Sequence, residues 1–188
     1  LGLYGFPGGT SPNLDALAGG ALVFDGAWST APLTGPGPAA LLTGRLPEEL
    51  GLADNRNVLA SAATTLAERL SSQGIATAAI VSNWVLRRRP ELADAGVQQG
   101  FAHFDDRMET PEGNRPDLRE RDARDTTDAA LAWLDARAPL GDGARGEQFF
   151  LWVHYQDRHG PYTPPPGGLA PPQEARGGGE LRVGNGQR

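Results

Sequence analysis

Thr65-Leu66-Ala67-Glu68-Arg69-Leu70-Ser71-Ser72-Gln73-Gly74-Ile75-Ala76-Thr77-Ala78-Ala79-Ile80-Val81 is the stretch from which the fold class follows. Thr65 with Glu68 three residues later is a capping box, in which each side chain satisfies a backbone N–H that the first helical turn leaves open. The helix it opens runs to about Gln73, and Gly74 supplies the left-handed residue that ends it. Ile75 to Val81, small and β-branched, then reads as a buried strand. A capped helix feeding directly into a buried strand is the repeating unit of an α/β sheet.

Upstream, Ser11 and Pro12 read as the N-cap and first position of a helix through Ala18, stopped by Gly19-Gly20. Ala21 to Trp28 reads as a short strand, and Pro38 to Thr43 as a short helix closed by Gly44. Downstream, the charged, Pro-rich run from Arg107 to Arg121 reads as a surface excursion. A helix is predicted from about Asp122 to Arg137, with Ala130, Trp133 and Leu134 facing inward. Phe149 to Tyr155 is a strongly apolar strand. Helices alternate with buried strands along the chain, which predicts an α/β domain with helices on the faces of a sheet. From Pro164 onward Pro and Gly dominate and no periodicity survives. Residues 1–166 therefore read as the domain, and 167–188 as a disordered or non-native tail.

The chain of 188 residues is long enough for one domain with a real core. A net charge of -6 and a pI near 5.0 argue against a nucleic-acid or anionic-membrane surface. With no cysteine, a disulfide framework, a Cys-based zinc site and a thiol nucleophile are excluded. No stretch approaches the roughly 20 apolar residues of a membrane span. The chain opens on Leu1, without a signal-peptide pattern, and its compartment is left open.

Three segments carry candidate chemistry. In Thr34-Gly35-Pro36-Gly37-Pro38, a hydroxyl stands just before a short helix. N–H groups at that helix start, with the positive end of its dipole, would favour an anion beside the hydroxyl. The same residues also suit a turn into a buried helix, with Thr34 as a cap. In Phe149 through Tyr162, an apolar strand delivers His154, Asp157 and His159 to its carboxyl end, where open α/β sheets bind ligands. His154 alternates with apolar positions and reads as a packing histidine. His159, beyond the strand, is the candidate proton donor or anion contact. In Gly2 through Ala18, Asp15 suits the first turn of its helix and need do no more.

In order and spacing these segments resemble the sulfatase family. Its pattern LGxYG, TPNLDxLA, a nucleophile segment ending LLTGxxP, TLAExL, TAAxVSN and FLxVHYxDPHxPY is matched in turn. The matches are Leu1 to Gly5, Ser11 to Ala18, Thr34 to Pro47, Thr65 to Leu70, Thr77 to Asn83 and Phe150 to Tyr162. The resemblance implies an α/β sandwich with a central mixed sheet, here truncated at both ends, and hydrolysis of sulfate esters at a divalent metal. It puts Thr34 at the nucleophile, which is also a metal ligand, and His159 at the substrate-contacting histidine. It puts Asn55 where phosphodiesterase relatives hold an Asn against the transferred group, although Asn55 also reads as a turn residue.

Departures from the pattern qualify what it implies. Gly37 and Pro38 replace the Ser and Arg of the formylglycine motif, so no formylglycine is expected at Thr34. The implied metal is Ca²⁺, or Zn²⁺ if the chain belongs to the branch with an unmodified Thr. The family's Asp-bearing strand and its Asp-His or Asp-Asn pair fall outside the chain. The chain alone is accordingly expected to bind metal weakly and to be inactive. The substrates implied are small-molecule or glycan sulfate or phosphate esters. A phosphodiesterase or phosphotransferase with a Thr nucleophile is the rival within the superfamily, and a decayed, non-catalytic binding fold is the rival outside it.

Overall fold

The structure is a computed structural model that describes residues 1–92, 94–112, 115–137 and 148–156. The capping box forms as the residue types require. The Thr65 hydroxyl accepts from the Glu68 N–H at 3.1 Å, and the Glu68 carboxylate accepts from the Thr65 N–H at 2.7 Å. The same hydroxyl reaches the Gln99 carbonyl at 2.9 Å, tying the helix start to a distant loop. Thr65 is fully buried. Thr65→Ala is therefore expected to lower stability by about 2 kcal/mol, the loss of a cap and of a buried partner. Urea denaturation checks this, with Thr65→Ser retaining most of the stability.

The helices are α1 (Pro12–Ala18), α2 (Pro36–Thr43), α3 (Leu66–Ser71) and α4 (Ala123–Asp135). The strands are β1 (Ala76–Val81), β2 (His103–Asp105), β3 (Thr110–Glu112), β4 (Arg115–Glu120) and β5 (Phe149–His154). The main sheet runs β2-β1-β5, all parallel, with Ala78 opposite His103 and Ala76 to Val81 opposite Phe149 to His154. β1 is its centre, and Ala78 to Val81 are wholly buried. That is why the strand reads as an unbroken run of small apolar residues. The α/β expectation is met, and antiparallel pairing among the described residues lies in the β3–β4 ribbon and in one bridge, Asn83 to Glu120, that ties the ribbon to the end of β1.

The core gathers Ala39 and Leu42 of α2, Leu52, Leu59, Ala79, Val81, Leu86 and Phe104. Phe101 stacks on Phe150 and Trp152 of β5 at 5.7 and 6.0 Å, closing one end. α4 starts on Asp122, whose carboxylate accepts from the Asp125 N–H at 2.8 Å. It buries Thr126 and Ala130; Trp133 and Leu134 are half-buried, Trp133 meeting Phe149 edge-on at 5.6 Å. No helix among the described residues is long and apolar enough to cross a membrane.

One expectation is corrected. Ala21 to Trp28 is not a strand, because no described strand lies beside it to complete a hydrogen-bond ladder. Its large side chains point to solvent, with Leu22 81% and Trp28 93% exposed. The run from Arg107 to Arg121, expected as a surface excursion, is mostly exposed where described. It folds into the β3–β4 ribbon and ends on a buried arginine, Arg121. The predicted tail lies outside the described residues.

Candidate active site

Thr34 is half-buried just ahead of α2. Asn55, twenty-one positions on in the sequence, folds back on this loop. Its side-chain carbonyl accepts from the Gly35 N–H at 2.8 Å. Two of the three sequence-predicted site residues are thus brought together, with Asn55 gripping the backbone next to Thr34. The helix-start anion seat expected there is not built. Pro36 and Pro38 have no N–H, the Gly35 N–H is taken by Asn55, and the Gly37 N–H is taken by the Leu33 carbonyl at 3.0 Å. No positively directed donor remains at the first turn. The Thr34 hydroxyl makes no side-chain hydrogen bond among the described residues.

Thr34 opens on a groove of about 720 Å³ that it shares with Trp28, Pro38, Arg45, Trp152 and His154. Trp152 and His154 come from one face of β5, two residues apart, with ring centres 6.2 Å apart. Ser82, just past β1, donates its hydroxyl to the His154 carbonyl at 2.6 Å and fixes that strand end. Burial holds the His154 imidazole below its usual pKa. The sequence assigned His154 to packing. Its partial burial agrees, but it also lines the Thr34 groove, and the period-2 alignment with Trp152 was the available signal. His159, Asp157 and Arg158 lie outside the described residues. A wider cavity of about 950 Å³, between Glu68, Arg88 and Phe104, contains none of the predicted site residues.

Among the described residues no three His, Asp or Glu side chains come together as metal ligands. Thr34 therefore has no co-ligands there. The donors sharing its groove include His154 and Glu49, and the Glu49 carboxylate is engaged by the Leu46 N–H at 3.0 Å. A hard dication needs six or more oxygens, or a tight set of carboxylates, and these residues do not fit one.

The family model described as Sulfatase matches residues 1–175. This chain belongs to the sulfatase family. Arylsulfatase A of Bos taurus is 43% identical to it over 110 residues, a match spanning 55% of this chain and 22% of the relative. N-acetylgalactosamine-6-sulfatase of Homo sapiens is 38% identical over 105 residues, spanning 49% of this chain and 20% of the relative. The sulfatase chain thus spans about a fifth of the length of the curated relatives it matches. A solved structure of a protein in complex with its substrate, D-glucosamine-2-N,6-O-disulfate, superimposes with a TM-score of 0.60 at 24% identity. That match covers 83% of this chain and 31% of the other, and it carries the fold: an α/β sulfatase-family domain with a parallel sheet at its centre.

Proposed function

We propose that this sulfatase-family chain supplies the nucleophile-bearing part of a sulfuric-ester hydrolase, with Thr34 as the nucleophile. The observation that supports it most is the groove. A loop near the start of the chain and the carboxyl end of β5, far apart in sequence, bring Thr34, Trp152 and His154 to one cavity. In this reading the Thr34 hydroxyl gives up its proton to solvent and its oxygen bonds to sulfur as the ester S–O bond breaks, while the departing oxygen takes a proton from His159. Water then attacks sulfur as the Thr34 O–S bond breaks, sulfate leaves, and the two protons of the water restore the Thr34 hydroxyl and His159. Asn55 holds the loop that presents Thr34, and formylglycine plays no part. Sulfated sugars are the favoured substrate class, given the galactosamine sulfatase among the relatives and the disulfated glucosamine bound in the related fold.

The divalent metal of the family, Ca²⁺ or Zn²⁺, would need ligands other than the described residues. Apart from Thr34, what this chain's described groups do stops at binding and positioning. A second reading, a non-catalytic binding fold, is favoured by the start of α2, where two prolines and two engaged N–H groups leave nothing to receive an anion. The test is turnover of 4-nitrophenyl sulfate against bis(4-nitrophenyl) phosphate with added Ca²⁺ or Zn²⁺. It uses the 188-residue chain and the longest natural polypeptide that contains it. The 188-residue chain is expected to give no turnover. The longer polypeptide is expected to cleave the sulfate, and Thr34→Ala to return it to background. Faster phosphodiester cleavage would move the activity to the phosphodiesterase branch. No turnover of either ester would leave the binding fold.

A further inference from the structure

Trp28 is 93% exposed, the most exposed of the large apolar side chains among the described residues. An indole left in water forgoes the free energy of covering its large apolar surface. Scattered apolar side chains at a surface are ordinary, and Leu17 and Leu22, also well exposed, line neither of the two large cavities. Trp28 differs by its place, because it lines the groove onto which Thr34 opens.

The chain between Trp28 and Thr34 is folded onto the start of α2. The Ser29 hydroxyl donates to the Ala31 carbonyl at 2.7 Å. A Cβ added at Gly37 would lie 3.4 Å from the Ala31 carbonyl oxygen and 3.9 Å from Ser29 Oγ. The residue next to Trp28 therefore lies against the first turn of the helix that Thr34 precedes. The Gly37 N–H bonds the Leu33 carbonyl at 3.0 Å, so one short loop carries both Trp28 and Thr34 to the groove. Leu41 and Leu46 give that groove further apolar lining, and Arg45 and Glu49 give it polar lining. Arg45 Nη2 donates to the Glu49 carbonyl at 3.1 Å, which holds these two residues side by side.

A pyranose ring has the matching character, with a face of C–H groups and edges of hydroxyls. The weakly positive C–H groups suit the negative face of an indole, and the hydroxyls suit a guanidinium and a carboxylate. A groove of about 720 Å³ is of a size that takes a small ligand of this kind. We infer that Trp28 is the platform on which the sugar ring of a sulfated monosaccharide stacks, its sulfate group toward Thr34 and its hydroxyls toward Arg45 and Glu49. This rests on the reading of Thr34 as the nucleophile toward sulfated sugars. Trp28 touches no reacting atom; it selects ring-shaped sulfate esters over open-chain ones.

The test uses the longest natural polypeptide that contains the chain, with glucose 6-sulfate and its open-chain reduction product, glucitol 6-sulfate. The two carry the same sulfate ester, and only the first has a ring face. Trp28→Ala is expected to raise KM for glucose 6-sulfate by about tenfold, with kcat unchanged and glucitol 6-sulfate unaffected. Trp28→Phe should recover most of that loss. Since the Trp28 side chain is almost wholly in water, truncating it opens no cavity in the fold. Calorimetry of glucose 6-sulfate on Thr34→Ala reads the platform without turnover, and adding Trp28→Ala should weaken that binding by about tenfold. If Thr34→Ala stays active, or nothing turns over, while binding still depends on Trp28, the nucleophile reading fails and the platform stands. Unchanged KM and affinity in Trp28→Ala, equal losses on both sulfates, or no saturable binding of glucose 6-sulfate would each overturn the platform. So would an indole shielded from acrylamide, read as equal quenching in wild type and Trp28→Ala, because another segment would then cover it.

Discussion

Arg121→Met is expected to destabilise the fold by about 3–5 kcal/mol, because it removes one partner of a buried ion pair and leaves the other behind. Asp105 and Arg121 are both nearly inaccessible and meet at 2.6 Å. The second partner of Asp105 is Arg107, also at 2.6 Å, but that side chain is mostly in solvent and screened. Arg121 further caps the Arg107 carbonyl and pins its own backbone to Ser82. Burial by itself would push the Asp105 carboxyl up. Hydrogen bonds from Arg107 and Arg121 outweigh that and hold it well below the usual carboxylate range. A depressed acid favours the folded state above its unfolded pKa, and the contribution fades as the pH falls. The wild-type advantage over Arg121→Met should therefore be full near neutrality and shrink below about pH 4. Urea midpoints for both proteins at several pH values check this. A gap independent of pH would mean that packing, rather than the charge pair, accounts for the loss.

Gly100→Ala is the second large effect. Gly100 sits at φ +79, a left-handed conformation that costs an L residue about 1–2 kcal/mol. A Cβ there would also fall well inside contact distance of the Glu68 nitrogen and Cα, which are backbone atoms in the first turn of α3 and cannot swing aside. Overpacking of that kind adds about 1–3 kcal/mol, so the sum is about 2–5 kcal/mol. The Gly100 carbonyl accepts from the Thr77 hydroxyl at 2.7 Å, so any shift of the loop also disturbs β1. Gly44 provides the internal control. It has φ +68 but open space around it, and Gly44→Ala should cost only about 1 kcal/mol. Equal losses at the two positions would rule out close approach as the reason for glycine at Gly100.

The elements that read correctly were those with local causes. The Thr65 and Glu68 side chains cap a helix three residues apart, Gly44 and Gly74 end helical turns at positive φ, and β1 is apolar on both faces because it is central. The link between Asn55 and the Thr34 loop was legible only as two separate motifs. Their hydrogen bond depends on how the chain returns. The anion seat at α2 failed for a reason visible residue by residue: Pro36 and Pro38 carry no N–H, and counting donors would have exposed it.

By itself the sequence determined the family, the α/β class and the position of Thr34 ahead of a short helix, because motif order and capping chemistry act over a few residues. Tertiary structure alone decided that Ala21 to Trp28 stays unpaired and that His154 lines the groove. It also buried Arg121 on Asp105. Each of these depends on which distant segment arrives alongside. A strand needs a neighbour and a buried charge needs its counter-charge, and local propensity specifies neither of those partners.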